Sequence, residues 1–337
     1  MPVRMKDIAK DLGVSVVTVS KVLRNHRDIS SDTRQRVLKR MKELNYQPNL
    51  AARALVTGRT HAMGLVAPDL VHPFFAEVAK GISRVLRKRG YGLVIASSEE
   101  DPELERQEID QLLARGVDAL LIASTQWTVE SFRRIEERKI PYVLIDRKFL
   151  GLAANFVGID DETAGEIGTG HLIERGCRRP AHIGGRDIST ALGRLEGYRR
   201  ALARRGIATP ADYVVITAYS DDSGDVEGYR AMQGLLAADP RPDGVFCYND
   251  TTAMGAMRAI LDAGLRVPED VAVVGCGNVR YAAFLRVPLT SVDQQSETMG
   301  ERAAKLALSL VESKTPLRPK SVLLEPKLVA RQSSARS

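Results

Sequence analysis

From Ala62 onward the chain alternates between two kinds of segment, and this alternation restricts its fold more than any other feature. Short apolar runs, Met63-Gly64-Leu65-Val66-Ala67, Leu93-Val94-Ile95-Ala96, Ala119-Leu120-Leu121-Ile122 and Tyr142-Val143-Leu144-Ile145, are separated by longer stretches of helical period. Runs of this length and apolarity are buried parallel strands, and the stretches between them are crossover helices. Gly90, Gly116, Gly176, Gly206 and Gly264 each close a helical pattern just before a strand-like run, at intervals of 26, 60, 30 and 58 residues. Those intervals match one or two strand–helix units of about 30 residues. A second set follows Asp160, with strands near Ala181-His182-Ile183, Tyr213-Val214-Val215-Ile216, Gly244-Val245-Phe246 and Val271-Ala272-Val273-Val274. Two such sets predict a bilobal, doubly wound parallel α/β body. Its ligand would sit beyond the carboxyl ends of the strands.

The first sixty residues follow another pattern. Ile8, Ala9 and Leu12 form one apolar stripe of a short helix, with Gly13 placed to end it in the left-handed conformation. Ser15 is placed to cap a second short helix, whose inward face is Val19, Val22 and Leu23. Two helices joined by a short glycine-containing turn make a helix-turn-helix, whose second helix can enter the major groove. Ser30 is placed to cap a third helix, from Ser31 to about Asn45, with Val37, Leu38, Met41 and Leu44 on one face. Leu50 to Val56 is a short alanine-rich segment after Pro48, and a helix of that length is marginal alone in water.

Charge separates the two parts. Residues 1 to 60 carry 13 Lys and Arg against 5 Asp and Glu, whereas the rest carries 36 against 37. A small cationic module on a near-neutral body suits phosphate neutralisation on a nucleic acid. No apolar run reaches bilayer-spanning length, and the first residues lack a secretory core, so a cytoplasmic protein is expected, with no membrane partner. Cys177, Cys247 and Cys276 are read as packed thiols. The five histidines, at 26, 61, 72, 171 and 182, have no metal-ligand spacing, and neither metal nor cofactor is expected. Gly275-Cys276-Gly277 begins a dinucleotide-like pattern, but Arg280 occupies its third glycine position, and no phosphate-loop or nucleophile-elbow motif occurs. An enzyme is not expected.

The order Asp7-Ile8-Ala9, Gly13-Val14-Ser15, Thr18-Val19-Ser20, Thr33-Arg34, Leu44-Asn45-Tyr46, Pro48-Asn49 and Ala52-Arg53-Ala54-Leu55 resembles the DNA-binding end of LacI/GalR-family transcriptional regulators. The resemblance extends over essentially the whole chain. It implies a helix-turn-helix head (1–47), a hinge helix and linker (48–60) and a body of the type I periplasmic-binding-protein fold (61–337). One lobe would comprise 61–159 plus 292–318, and the other 160–291 plus 319–331. Val16, Val17 and Lys21 would face bases, and Thr18 and Ser20 phosphates, beside Ser15. Arg24, where relatives often have Asn, would add phosphate attraction. Ala52 and Leu55 of the hinge would reach the minor groove, Leu55 as an apolar wedge that unstacks a base step.

In the cleft the resemblance puts Phe74, Asp146, Arg194, Tyr219, Asn249 and Gln294 on effector-contact positions. Carboxylate, amide and guanidinium groups beside an aromatic face suit a polyol. Asn249-Asp250 could instead cap the helix ending near Ala263, the lesser alternative, and less so for Asn249 than for Asp250. The family often has an Asp where this chain has Gly277, which leaves open a sugar, a sugar phosphate or acid, or a nucleobase-like ligand. A sugar or sugar derivative is the expected effector, and duplex operator DNA and a second copy of the chain are the expected partners. The residues 328–337 lack a leucine heptad, which favours a homodimer over a tetramer. The expected function is an effector-controlled transcriptional regulator, most simply a repressor. The alternatives are a solute-binding protein, or a sugar- or nucleotide-processing enzyme on the same core.

Overall fold

The computed structural model describes residues 3–23, 26–46, 54, 58–126, 128–149, 151–208, 210–217 and 224–336. Arg24, Ala52, Leu55 and Tyr219, and most of the expected hinge helix, lie outside the described residues. The chain divides into two compact units, Met1–Thr60 and His61–Ser337.

In the first unit, α1 (Met5–Leu12) ends at Gly13, whose φ of 64° lets its backbone N–H turn back to the last helical carbonyls. α2 (Val16–Leu23) starts after Ser15, whose hydroxyl accepts the Thr18 N–H at 3.0 Å. α3 (Ser31–Glu43) is capped by Ser30, which accepts from the Thr33 N–H at 3.2 Å. Ile8, Ala9, Val19, Val22, Val37 and Met41 form the core between the three helices. Leu38, expected on the inward face of α3, is 49% exposed. Val37 and Met41, one turn apart, already fill that seam.

The second unit holds two six-stranded sheets. The first contains β1 (Ala62–Ala67), β2 (Gly92–Ser97), β3 (Ala119–Ile122), β4 (Tyr142–Ile145), β5 (Asn155–Ile159) and β11 (Ser321–Leu324), in the order β11-β5-β4-β3-β1-β2 and parallel throughout. The second contains β6 (Pro180–Gly184), β7 (Val214–Ile216), β8 (Gly244–Cys247), β9 (Ala272–Gly277), β10 (Thr290–Asp293) and β12 (Lys327–Val329), in the order β12-β10-β9-β8-β6-β7, with only β12 antiparallel. Both sheets therefore repeat one winding, and both change direction beside their first strand, where a doubly wound sheet opens a crevice.

The lobe boundaries differ from those expected. Residues 292 and 293, expected in the first lobe, complete β10 in the second sheet. Residues 319–324, expected in the second lobe, run along β5 in the first, where the Phe156 N–H donates to the Lys320 carbonyl at 2.9 Å. β5 would otherwise be an open edge with unpaired backbone groups, and β11 covers it. The last crossing thus lies between β11 and β12.

Helices pack on both sheets, and three pairs of them meet at glycines. α4 (Pro73–Lys88) packs on α11 (Ser296–Glu312), α7 (Asp161–Glu174) on α8 (Ser189–Arg204), and α9 (Gly224–Leu236) on α10 (Asp250–Asp262). Each seam has one glycine from either side: Gly81 with Gly300, Gly165 with Gly197, and Gly228 with Gly255. A methyl group at any of the six would overlap a backbone carbonyl of the opposing helix. These backbones therefore approach more closely than any larger residue permits. α8 is also held to the second sheet through Tyr198, whose hydroxyl donates to the Pro180 carbonyl at 2.9 Å. His182 lies between the Tyr198 and Phe246 rings, centroids 5.2 and 5.3 Å away, and its Nδ1–H donates to the Phe246 carbonyl. Burial pushes the pKa of His182 down to about 4 and keeps it neutral.

Candidate functional site

Two surfaces are candidates, one on each unit. On the head, Val16 and Val17 are 44% and 63% exposed, although Val19 and Val22 of the same helix are buried. The outward face of α2 thus carries two apolar side chains followed by Lys21. Among its polar neighbours, Ser15 is bonded to the Thr18 hydroxyl at 2.9 Å. Lys21 forms an ion pair with Asp28, whose carboxyl is held below its usual range by the hydrogen bond from Lys21. An exposed pair of this kind is weak and easily exchanged for another anion.

On the body, a cleft of about 400 Å³, open mouth included, lies at the carboxyl ends of the strands. Five of the six expected contact residues line it: Phe74, Asp146, Arg194, Asn249 and Gln294. Phe74 enters from the first turn of α4, where His72 caps the helix with its ring nitrogen 3.3 Å from the Phe74 N–H. Burial lowers the pKa of His72 to about 4, so it faces the cleft uncharged.

Arg194 is the most constrained group. It is 2% exposed, and its Nε donates to Asp161 at 3.0 Å, its Nη1 to the Tyr248 carbonyl at 2.7 Å and its Nη2 to Gln294 at 2.9 Å. Its guanidinium carbon also lies 5.0 Å from the centre of the Tyr248 ring. Burial lifts the Asp161 carboxyl to about 7 against the pull of Arg194. Asp146, just past β4, has a φ of 64° that turns its side chain into the cleft. Its carboxyl is buried, and no donor among the described side chains reaches it. Burial raises its pKa, with the Arg194 and Arg147 charges acting in the opposite direction.

Asn249 has two roles to reconcile. It lines the cleft, and its Oδ1 caps α10 by accepting from the Thr252 N–H at 2.8 Å and the Thr251 hydroxyl at 2.8 Å. Asp250 does not cap the helix. It is buried and staples β9 and β10 to α10, accepting from the Val279 N–H at 2.8 Å and the Ser291 hydroxyl at 2.6 Å. Gly277 has a φ of 134°, in a region that side-chain-bearing residues rarely adopt, so the backbone here suits glycine.

The sequence reading did not single out Glu100, Asp161, Arg186 or Tyr248. Glu100 and Tyr248 line the cleft, Arg186 is bonded to Glu100, and Asp161 holds Arg194. Tyr248 adjoins Asn249, and both Tyr248 and Asp161 lie just past a strand end, which was the available signal. Glu100 and Arg186 had none beyond charge.

Residues 4–49 match the model of bacterial regulatory proteins of the lacI family, and residues 169–334 match the periplasmic binding protein-like domain. Over 336 residues the chain is 34% identical to the HTH-type transcriptional repressor PurR of Klebsiella pneumoniae (strain 342), covering 98% of this chain and 96% of that one. It is also 34% identical to the ribose operon repressor of Escherichia coli (strain K12), covering 98% and 99%. Among solved structures, the lac repressor dimer bound to operator and the anti-inducer ONPF superposes with a TM-score of 0.85 at 26% identity, over 99% of both chains. The complex of the transcriptional regulator CelR with cellobiose does so with a TM-score of 0.74 at 32% identity, over 98% and 99%. With an exposed reading face on a three-helix head, a cleft between two doubly wound sheets, and repressors similar along nearly its full length, the chain belongs to the LacI family of bacterial regulatory proteins.

Proposed function

We propose that the cleft of this DNA-binding repressor takes an uncharged sugar, and that the bound sugar sets how tightly the head holds its operator. The observation that carries the proposal is Asp146, a buried carboxyl aimed into the cleft with no described side-chain donor on it. Sugar hydroxyls supply such donors, whereas a phosphate or carboxylate would repel it. The neighbouring guanidinium groups offer an anion little, because Arg147 is paired with Glu100 and the donors of Arg194 are taken by Asp161, the Tyr248 carbonyl and Gln294. Phe74 and the Tyr248 ring supply faces for the C–H groups of a pyranose or furanose. The similarity to a regulator solved with cellobiose and to a ribose operon repressor points the same way.

A thermal-shift panel of neutral sugars, sugar phosphates and purine bases tests this reading. A neutral sugar at a hundredfold excess over its Kd is expected to stabilise the protein by about 2.7 kcal/mol, several degrees in Tm. Asp146→Asn keeps the shape, removes the charge and is expected to weaken that sugar roughly tenfold to a hundredfold. Stabilisation by phosphates or purines alone would overturn the proposal.

On DNA, Val16 and Val17 are proposed to meet thymine methyls, and Lys21 a guanine O6 or N7. Ser15, Thr18, Ser20 and Arg24 are assigned to the backbone, and Ala52 and Leu55 to the minor groove. Lys21→Ala is expected to weaken operator binding by about 1–3 kcal/mol and non-specific DNA much less, as gel-shift titrations would measure. An equal loss on both DNAs would reassign Lys21 to phosphate contact. The chain is read as a homodimer, like the lac repressor dimer on its operator, working in the cytoplasm. Its relatives are transcriptional repressors rather than enzymes. Coupling follows from linkage: a sugar that prefers one placement of the lobes must change DNA affinity by the same factor that DNA changes sugar affinity.

A further inference from the structure

Glu100 lies where the two lobes face each other. It follows β2 in the first lobe, in a turn where Glu99 and Glu100 both adopt the left-handed region, with φ of 47° and 59°. Neither is glycine, and two successive strained residues persist only where their surroundings hold them. The Glu100 N–H donates to the Pro68 carbonyl at 3.0 Å, and the turn aims the carboxylate into the cleft. There it receives Arg147 of its own lobe through two bonds, of 2.9 and 2.5 Å. It also receives Arg186, from the loop after β6 in the other lobe, through a close contact to Oε2 and a 3.3 Å bond to its backbone carbonyl. The three side chains are 13%, 5% and 15% exposed. Beside them the Lys148 N–H, in the first lobe, donates to the Ser189 hydroxyl, in the second, at 3.0 Å.

We infer that Glu100 is a lobe-bridging residue whose contacts with Arg186 hold the two lobes together without need of an effector. One carboxylate serves two guanidinium groups, and only one of them belongs to its own lobe. Parting the lobes would leave Arg147 in place and break both contacts that Arg186 makes to Glu100, the charge-assisted one to its carboxylate and the one to its backbone carbonyl. These contacts favour the placement of the lobes in which they form, and an effector biases the same balance. Only this consequence for regulation rests on the cleft being the effector site.

Hydrogen exchange on the full-length, ligand-free protein tests the inference without an effector, so its failure would leave the sugar reading untouched. The Lys148 amide reports closure directly, because its acceptor is in the other lobe. In Arg186→Ala and Glu100→Gln, its exchange is expected to quicken roughly tenfold or more, with the Leu121 and Phe246 amides of the two sheets unchanged. Arg186→Ala decides the matter if Glu100→Gln loosens the whole fold, since it keeps the Glu100–Arg147 pair. Unchanged protection of Lys148 in Arg186→Ala, or rapid exchange there in the unaltered protein, would overturn the inference.

Discussion

Arg194→Ala is expected to lower stability by about 3–5 kcal/mol at pH 8 and to remove measurable effector binding. The size follows from what the guanidinium holds. It is buried, and its loss leaves Asp161, the Tyr248 carbonyl and Gln294 without the donor they share. Asp161 is the serious case, since burial already raises its carboxyl to about 7 with Arg194 present, and removing that charge raises it further. A carboxyl whose folded pKa lies above its unfolded value stabilises most at low pH, and that contribution is lost as pH rises through the folded pKa. Below about 7 both proteins keep the proton, so the gap between them is expected to be smaller and flat. Above 7 only the parent ionises freely, and the gap should widen. Urea unfolding across this range would measure it. Asp161→Asn added to Arg194→Ala should recover part of the loss at pH 8. A gap below about 1 kcal/mol at pH 8, with no recovery, would show that the Asp161–Arg194 pair does not hold the site.

Much of this arrangement was legible in the chain. Apolar runs ending in polar residues placed the strands and their carboxyl ends, and the family resemblance then picked out Phe74, Asp146, Arg194, Asn249 and Gln294 beside those ends. The structure brings those five together around one cleft. The rule could not say which neighbouring charge turns inward. Glu99 and Glu100 read alike as residues, and their separate directions depend on a backbone turn that sequence does not display. Asn249 shows another limit, since a cap and a cleft contact call for the same residue at the same place. The late lobe crossing was hidden for a third reason: the segment around Ser321 becomes a strand because β5 has an edge to cover, and its own pattern is weak.

Gly165→Ala is expected to weaken effector binding roughly tenfold or more and to cost about 1–3 kcal/mol of stability, although Gly165 is not among the residues lining the cleft. A methyl group at this position would overlap the backbone carbonyl of Arg194 itself, so α8 must move away from α7 and carry its guanidinium with it. Asp161 sits on α7 and Arg194 on α8, and their pairing depends on how closely the two helices approach. The other seams have the same bearing on the cleft: Phe74 lies in the first turn of α4, Gln294 just ahead of α11, and Asn249 at the cap of α10. Gly170 provides the control, because it lies on α7 with nothing within 4 Å of an added methyl. Gly170→Ala should therefore stabilise the protein by about 0.5–1 kcal/mol through helix propensity alone and leave affinity unchanged. Calorimetric titration of both variants with the effector separates the two effects. Equal affinities would mean that the α7–α8 seam sets stability only, and that Arg194 keeps its place by its own hydrogen bonds.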